Sequence, residues 1–220
     1  MKAVKTLRDS IGESGSDNGN SRQDPDVAGR WWLFEQPSWE ERRRQVCYPL
    51  ARLFASLVEA MTRPACVVRR GVVLEHAPGT LNPTTWVDCL VVSPFGVFAV
   101  DQYDWTGRVK RSANRDELLL HERPGVVSVQ TSPLRRGKPA LRHLQALLSQ
   151  HQCPVECVAV FSDSHCALDP ALPENILQEA DLRHFLRTRI NRFCNGHSRY
   201  LDPERIEAHL QLHSADWGED

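Results

Sequence analysis

Two aspartates sit where apolar side chains would be expected. Asp88 lies within Thr85–Ser93 and Asp101 within Gly96–Tyr103, two apolar runs joined by Ser93-Pro94-Phe95-Gly96. A carboxylate inside a buried strand is costly unless it is paired or binds a cation. Asp88 and Asp101 are therefore the first candidates for chemistry, expected to converge from neighbouring strands closely enough to share a metal ion. Side chains alternate along a strand, so Tyr103 shares the face of Asp101.

Three other groups have chemical potential. Arg135, Arg136, Lys138 and Arg142 form a basic edge that could meet phosphate. Cys194, His197, His209 and His213 follow a C-x2-H-x11-H-x3-H spacing that approaches a zinc site, but no paired strand precedes the helix carrying the last two. His151, Cys153, Cys157, His165 and Cys166 crowd round one apolar run, where small buried thiols explain the pattern without metal.

The elements that must position these residues follow from pattern. Ser38-Trp39-Glu40-Glu41 reads as a capping box. Val46, Leu50, Leu53, Phe54, Leu57, Val58 and Met61 continue it as the apolar face of a long helix, which Pro49 should kink. Short β-branched runs predict strands over 65–74, 85–93, 96–103, 107–111 and 116–121, separated by turn residues. A helix is expected over 138–150, a strand over Val155–Phe161, a helix over 179–193 and a short one over 203–212. This order predicts an α/β fold on one mixed sheet: successive strands give its antiparallel part and a crossover helix its parallel strand.

Composition narrows the class. Across 220 residues, 28 acidic and 27 basic side chains leave a net charge of −1, which excludes a polybasic protein. The charge is uneven, with 101–150 at +4 and 151–220 at −6, so an anionic partner should meet the middle. Seven cysteines without an apolar leader read as reduced thiols, and no run is long enough to span a bilayer. Residues 9–29 carry too few apolar groups to offset their ordering entropy and are expected to be disordered. Trp31–Phe34 would be the first segment to dock. A cytoplasmic protein without membrane contact is expected.

The stretch VDCLVVSPFGVFAVDQYDWTGRV resembles the core of the nuclease-related domain, NERD, whose pattern reads I-D-H-V-V-V-S-P-x-G-V-F-V-I-E-x-K-x-x-x-G-x-I. The likeness extends through Ser132-Pro133-Leu134 and the Val155–Phe161 strand. It implies the restriction-endonuclease-like fold of the PD-(D/E)XK superfamily, with a mixed β-sheet flanked by helices, and an ancestral Mg²⁺-dependent hydrolysis of DNA. In that chemistry two carboxylates hold Mg²⁺, and a lysine two residues beyond the second orients the nucleophile.

Against this pattern Asp88 matches the first acid and Asp101 stands for a glutamate. Tyr103 stands for the lysine, Cys89 for a histidine and Arg136 for the second-helix glutamine. No helix-1 glutamate is in place: Arg43 or Arg44 falls there, with Glu41 about a turn early. Lys110 is the best candidate for a migrated lysine, and Arg108 the other. The expected organisation is a disordered arm over 1–30, a nuclease-related domain over 31–195 and a helical tail over 196–220. The favoured function is a degenerate site, a pseudoenzyme that binds DNA or a protein partner without efficient cleavage. The alternatives are an active nuclease using Asp88, Asp101 and Lys110, and a structural protein with no affinity for nucleic acid.

Overall fold

The computed structural model describes residues 38–62, 66–81, 83–197 and 199–214. The expected disordered arm and the Trp31–Phe34 segment lie outside these residues. Helix α1 (Trp39–Met61) opens with the expected capping box: Ser38 Oγ accepts from the Glu41 N–H, and the Ser38 N–H donates to Glu41 Oε2 at 2.7 Å. The helix runs unbroken across Pro49. Its inward face carries Cys47, Leu50, Ala51, Phe54 and Val58, and Val46, expected on that face, is exposed.

Strands β1 (Val67–Glu75), β2 (Thr84–Ser93) and β3 (Gly96–Tyr103) form an antiparallel meander. Ser93 fixes the β2–β3 turn, donating through Oγ to the Gly96 carbonyl and accepting from the Phe95 N–H. The chain then builds β4 (Gly107–Arg111), β5 (Glu117–Arg123) and β6 (Val126–Thr131) before α2 (Pro133–Leu147) returns it to β7 (Val155–Phe161), parallel to β3. Strands β8 (Cys166–Leu168) and β9 (Ile176–Gln178), then α3 (Leu182–Gly196) and α4 (Pro203–Gln211), complete it. Helix α2 starts five residues before the expected 138, because Pro133 at its first turn is preset for a helix start.

The strands form two mixed sheets, in orders β1-β2-β3-β7-β9 and β6-β5-β4-β8, rather than the single sheet expected. The break falls at Gly107, whose φ of +114° few side chains tolerate. An added Cβ there would lie 2.4 Å from the His121 carbonyl oxygen. Gly107→Ala should therefore lower stability by about 2 kcal/mol or more, a fall in melting temperature of about 4–8 °C by calorimetry.

Alternation along β2 and β3 divides the core. Cys89, Val91, Phe98 and Val100 pack with α1 and α3. Leu90, Val92, Val97 and Ala99 pack with α2 and with Ile206 and Leu210 of α4, so the C-terminal helix is part of the core. A third cluster, including Tyr103, Val109, Leu120, Phe161 and Cys166, joins the two sheets. The architecture is α/β with mixed sheets flanked by helices, and the carboxyl end of β3 lies where the two sheets part.

Candidate functional site

The β2–β3 ladder runs from Ser93↔Gly96 to Cys89↔Val100, and Asp88 and Asp101 are the next residues along each strand. Here their side chains take over from the backbone. The Asp88 N–H donates to Asp101 Oδ1 at 3.3 Å, and the Gln102 N–H donates to Asp88 Oδ2 at 2.9 Å. Each carboxylate thus accepts an N–H from the opposite strand, and both side chains line one cleft.

Asp88 is almost fully buried, at 1% exposure, and its partners are specific. Arg43 of α1 grips it with both arms, Nε to Oδ1 at 2.7 Å and Nη2 to Oδ2 at 2.5 Å, while Nη2 also donates to the Gln102 carbonyl. The Trp86 indole N–H donates to Oδ1 at 2.8 Å. With the Gln102 N–H, each carboxylate oxygen accepts two hydrogen bonds, which fills the roughly four acceptor positions of the group. Cys47, one turn beyond Arg43, lies under this pair; burial first, then the Asp88 charge, push its thiol up to about 12.

Asp101 has a different environment. Burial, and next the negative charge of Asp88, push its carboxyl up to about 7, against the lowering effects of the Asp88 N–H, Arg136 and Arg43. Asp88 holds the guanidinium, and Asp101 is the carboxyl whose proton affinity is raised. Tyr103 is buried and stacks on Phe161 at 5.3 Å between centroids, with Trp105 edge-on at 5.4 Å. Burial, followed by the charge of Asp101, raises the phenol above its ordinary value, so the group is neutral at pH 7.

These residues line one cleft of about 770 Å³, with Trp39, Trp86, Trp105 and Arg136 among its walls. Trp86 is held on several sides: its N–H by Asp88, its face by the Arg44 guanidinium 5.6 Å from the ring centroid, and its neighbour Trp39 edge-on at 5.2 Å. Gly71, at a φ of +67°, leaves the space these rings need; a Cβ there would come within 2.7 Å of both Arg44 and Trp86.

Other sequence candidates fall elsewhere. Lys110 belongs to β4, opposite Leu119 in the second sheet, and does not line the cleft; neither does Arg108, opposite His121. Arg135, Arg136, Lys138 and Arg142 are all exposed on α2, and Arg136 alone of them reaches the cleft wall. Arg135 is paired with Asp116, and with Lys138, Arg111 and Arg115 it lines a separate cavity of about 510 Å³.

His209 lies against His151 and His213, while His197 stacks on Phe193 and Cys194 faces Tyr200. Among the described residues no group of three His, Cys, Asp or Glu side chains converges to hold a metal ion. All seven cysteines are free thiols.

Sequence reading placed an arginine near the first-helix position but not its pairing, which spans 45 residues. Trp86 was missed altogether. Its position two residues before Asp88, on the same strand, was the available signal.

A mixed-sheet α/β domain with two carboxylates at the end of the ladder between adjacent strands is compatible with the restriction-endonuclease-like fold. The family comparison agrees: the nuclease-related domain, NERD, matches residues 43–162, and the chain belongs to that family. The match runs from Arg43 to just past β7 and so encloses every residue that holds Asp88. No curated protein and no solved structure matches the chain. Membership implies a nuclease-related function, in a family that commonly uses a divalent metal. No helix among the described residues is long and apolar enough to cross a membrane.

Proposed function

We propose that this chain is a nuclease-related domain with a degenerate site, one that holds nucleic acid without hydrolysing it efficiently. The observation that carries the reading is the Arg43–Asp88 pair. A divalent cation needs free, ionised carboxylate oxygens. Both Asp88 oxygens are occupied, and the guanidinium already supplies the neutralising charge at that place. Asp101 is raised to about 7 and shares the cleft with a neutral phenol where the family pattern has a lysine. These residues do not fit Mg²⁺.

Nucleic acid would lie along α2. Lys138 and Arg142 are one turn apart, exposed, and make no side-chain hydrogen bond or ion pair among the described residues. They can meet successive phosphates and release counterions, giving an affinity that falls with salt and is nearly indifferent to sequence.

Two measurements on the purified chain test this. Supercoiled plasmid with Mg²⁺ or Mn²⁺ should show no nicking above the background of Asp88→Ala and Asp101→Asn, the second control covering any loss of fold in the first. Fluorescence anisotropy on labelled DNA should give a slope of log affinity against log salt of about −3, for three to four phosphate contacts. Lys138→Glu with Arg142→Glu should weaken binding at least about tenfold, two phosphate contacts being lost. Metal-dependent nicking abolished by both aspartate variants would establish an enzyme. No binding even at low salt would leave the protein-partner role.

A further inference from the structure

We infer that the cleft takes an unpaired nucleotide of a single strand, its base against the Trp39–Trp86 pair and its phosphate on Arg136. This rests on the nucleic-acid reading above and names the form of nucleic acid that the same site accepts.

The cleft's composition favours stacking over charge. Four aromatic side chains line it, Trp39, Trp86, Tyr103 and Trp105. Tyr103 is committed to the core cluster, and Trp86 is tied down by Asp88 and Arg44. Trp39 is different: it is 55% exposed, stands at the first turn of α1, and is braced edge-on by the fixed Trp86 ring. An exposed indole on a rigid support is costly to leave in water, and it forms the kind of platform on which successive bases stack.

The charges restrict the phosphate to one place. Arg43 is paired with Asp88, and the cleft also carries Asp101 and Asp104, so the cation left for a phosphate is Arg136, whose side chain has no hydrogen bond or ion pair among the described residues. One guanidinium suits one phosphate. On α2 Arg136 faces the cleft, whereas Lys138, two residues on, lines the separate cavity, so the cleft binds its nucleotide from its own side of the helix. Inside, Gln102 Oε1 is buried without a hydrogen-bond partner among the described residues, an acceptor suited to a base N–H.

Size also fits. About 770 Å³ lies within the ~300–1,000 Å³ of sites that enclose small organic groups. A duplex cannot present a base face to a tryptophan without unstacking, so the site selects unpaired nucleotides.

The test compares a short fluorescent oligothymidylate with a duplex of the same length on the full chain. The single strand should bind at least about tenfold more tightly. Trp39→Ala should weaken the single strand by about 5- to 150-fold, the range of one lost base–aromatic stack, and leave duplex affinity unchanged. Trp39→Phe should restore most of the loss. The difference between wild type and Trp39→Ala should barely vary with salt, unlike duplex affinity.

Duplex binding without single-strand preference, or equal losses on both ligands in Trp39→Ala, would overturn this inference and leave the α2 reading standing. Binding of neither ligand would overturn both. Thymidine monophosphate competing as well per nucleotide as the oligonucleotide would overturn the assignment to a strand.

Discussion

Arg43→Ala is expected to be among the most damaging single substitutions in this domain. It removes two hydrogen bonds to Asp88 and one to the Gln102 carbonyl, and it strands a carboxylate that is 1% exposed. Breaking a buried pair from one side typically costs about 3–5 kcal/mol, because the remaining charge loses its compensating cation; Asp88 would keep only the Trp86 and Gln102 N–H groups. Arg43 is itself 31% exposed, which places the loss near the lower bound, about 3 kcal/mol. The melting temperature should fall by about 6–12 °C.

The mechanism can be separated from simple loss of packing. Asp88→Asn in the Arg43→Ala background removes the stranded charge and keeps an acceptor for the Gln102 N–H, so it should recover a substantial part of the loss. A double-mutant cycle should return a coupling of about 1–3 kcal/mol. Arg43→Lys should recover little, since a single ammonium cannot reproduce the two-armed grip and also reach the Gln102 carbonyl. A melting temperature for Arg43→Ala within a degree or two of wild type would show that the pair does not hold these elements together.

The second large effect is in the pH dependence. The Asp101 carboxyl is raised to about 7 in the folded chain by burial and by Asp88, while an unfolded chain ionises it near the ordinary ~3.9. Between those values the folded state binds more protons than the unfolded state. Stability contributed by this group is therefore full below about pH 4 and falls as pH rises towards about 7. Asp101→Asn removes the titration and retains an oxygen for the Asp88 N–H. At pH 8 it should be more stable than wild type by about 2 kcal/mol once solvent at the cleft is allowed for; at pH 4 the two should coincide. Parallel melting curves for both proteins across this range would refute a proton held on Asp101.

The parts of this fold that local pattern determines were legible in the sequence. The capping box at Ser38 and Glu41, the Ser-Pro-Phe-Gly turn and the adjacency of Asp88 and Asp101 each rest on residues close in the chain or on the two-residue period of strands. What escaped depends on distant partners. Nothing local separates β4, β5 and β6 into a second sheet, and β8 and β9 have three residues each, too few to establish a period. Val46 was assigned to the apolar face, yet the buried set is Cys47, Leu50, Ala51, Phe54 and Val58, a three-and-four spacing from which Val46 is one residue off and which a thiol conceals among larger apolar side chains. The acidic pair of the site could be read from sequence, but its cation could not: an arginine on a polar helix face looks solvated until the fold brings the strand beside it.

At the end of the β2–β3 ladder the two aspartates do the work of missing backbone rungs, each receiving the N–H of the opposite strand. A residue with that duty is constrained whether or not the domain ever cuts a phosphodiester. Descendants of a hydrolase could then shed the lysine and still be unable to discard the acids, since folding would retain what catalysis had ceased to require. Within such a lineage the surviving aspartate would be a relic of architecture, and counting acids would overstate how many members still cut.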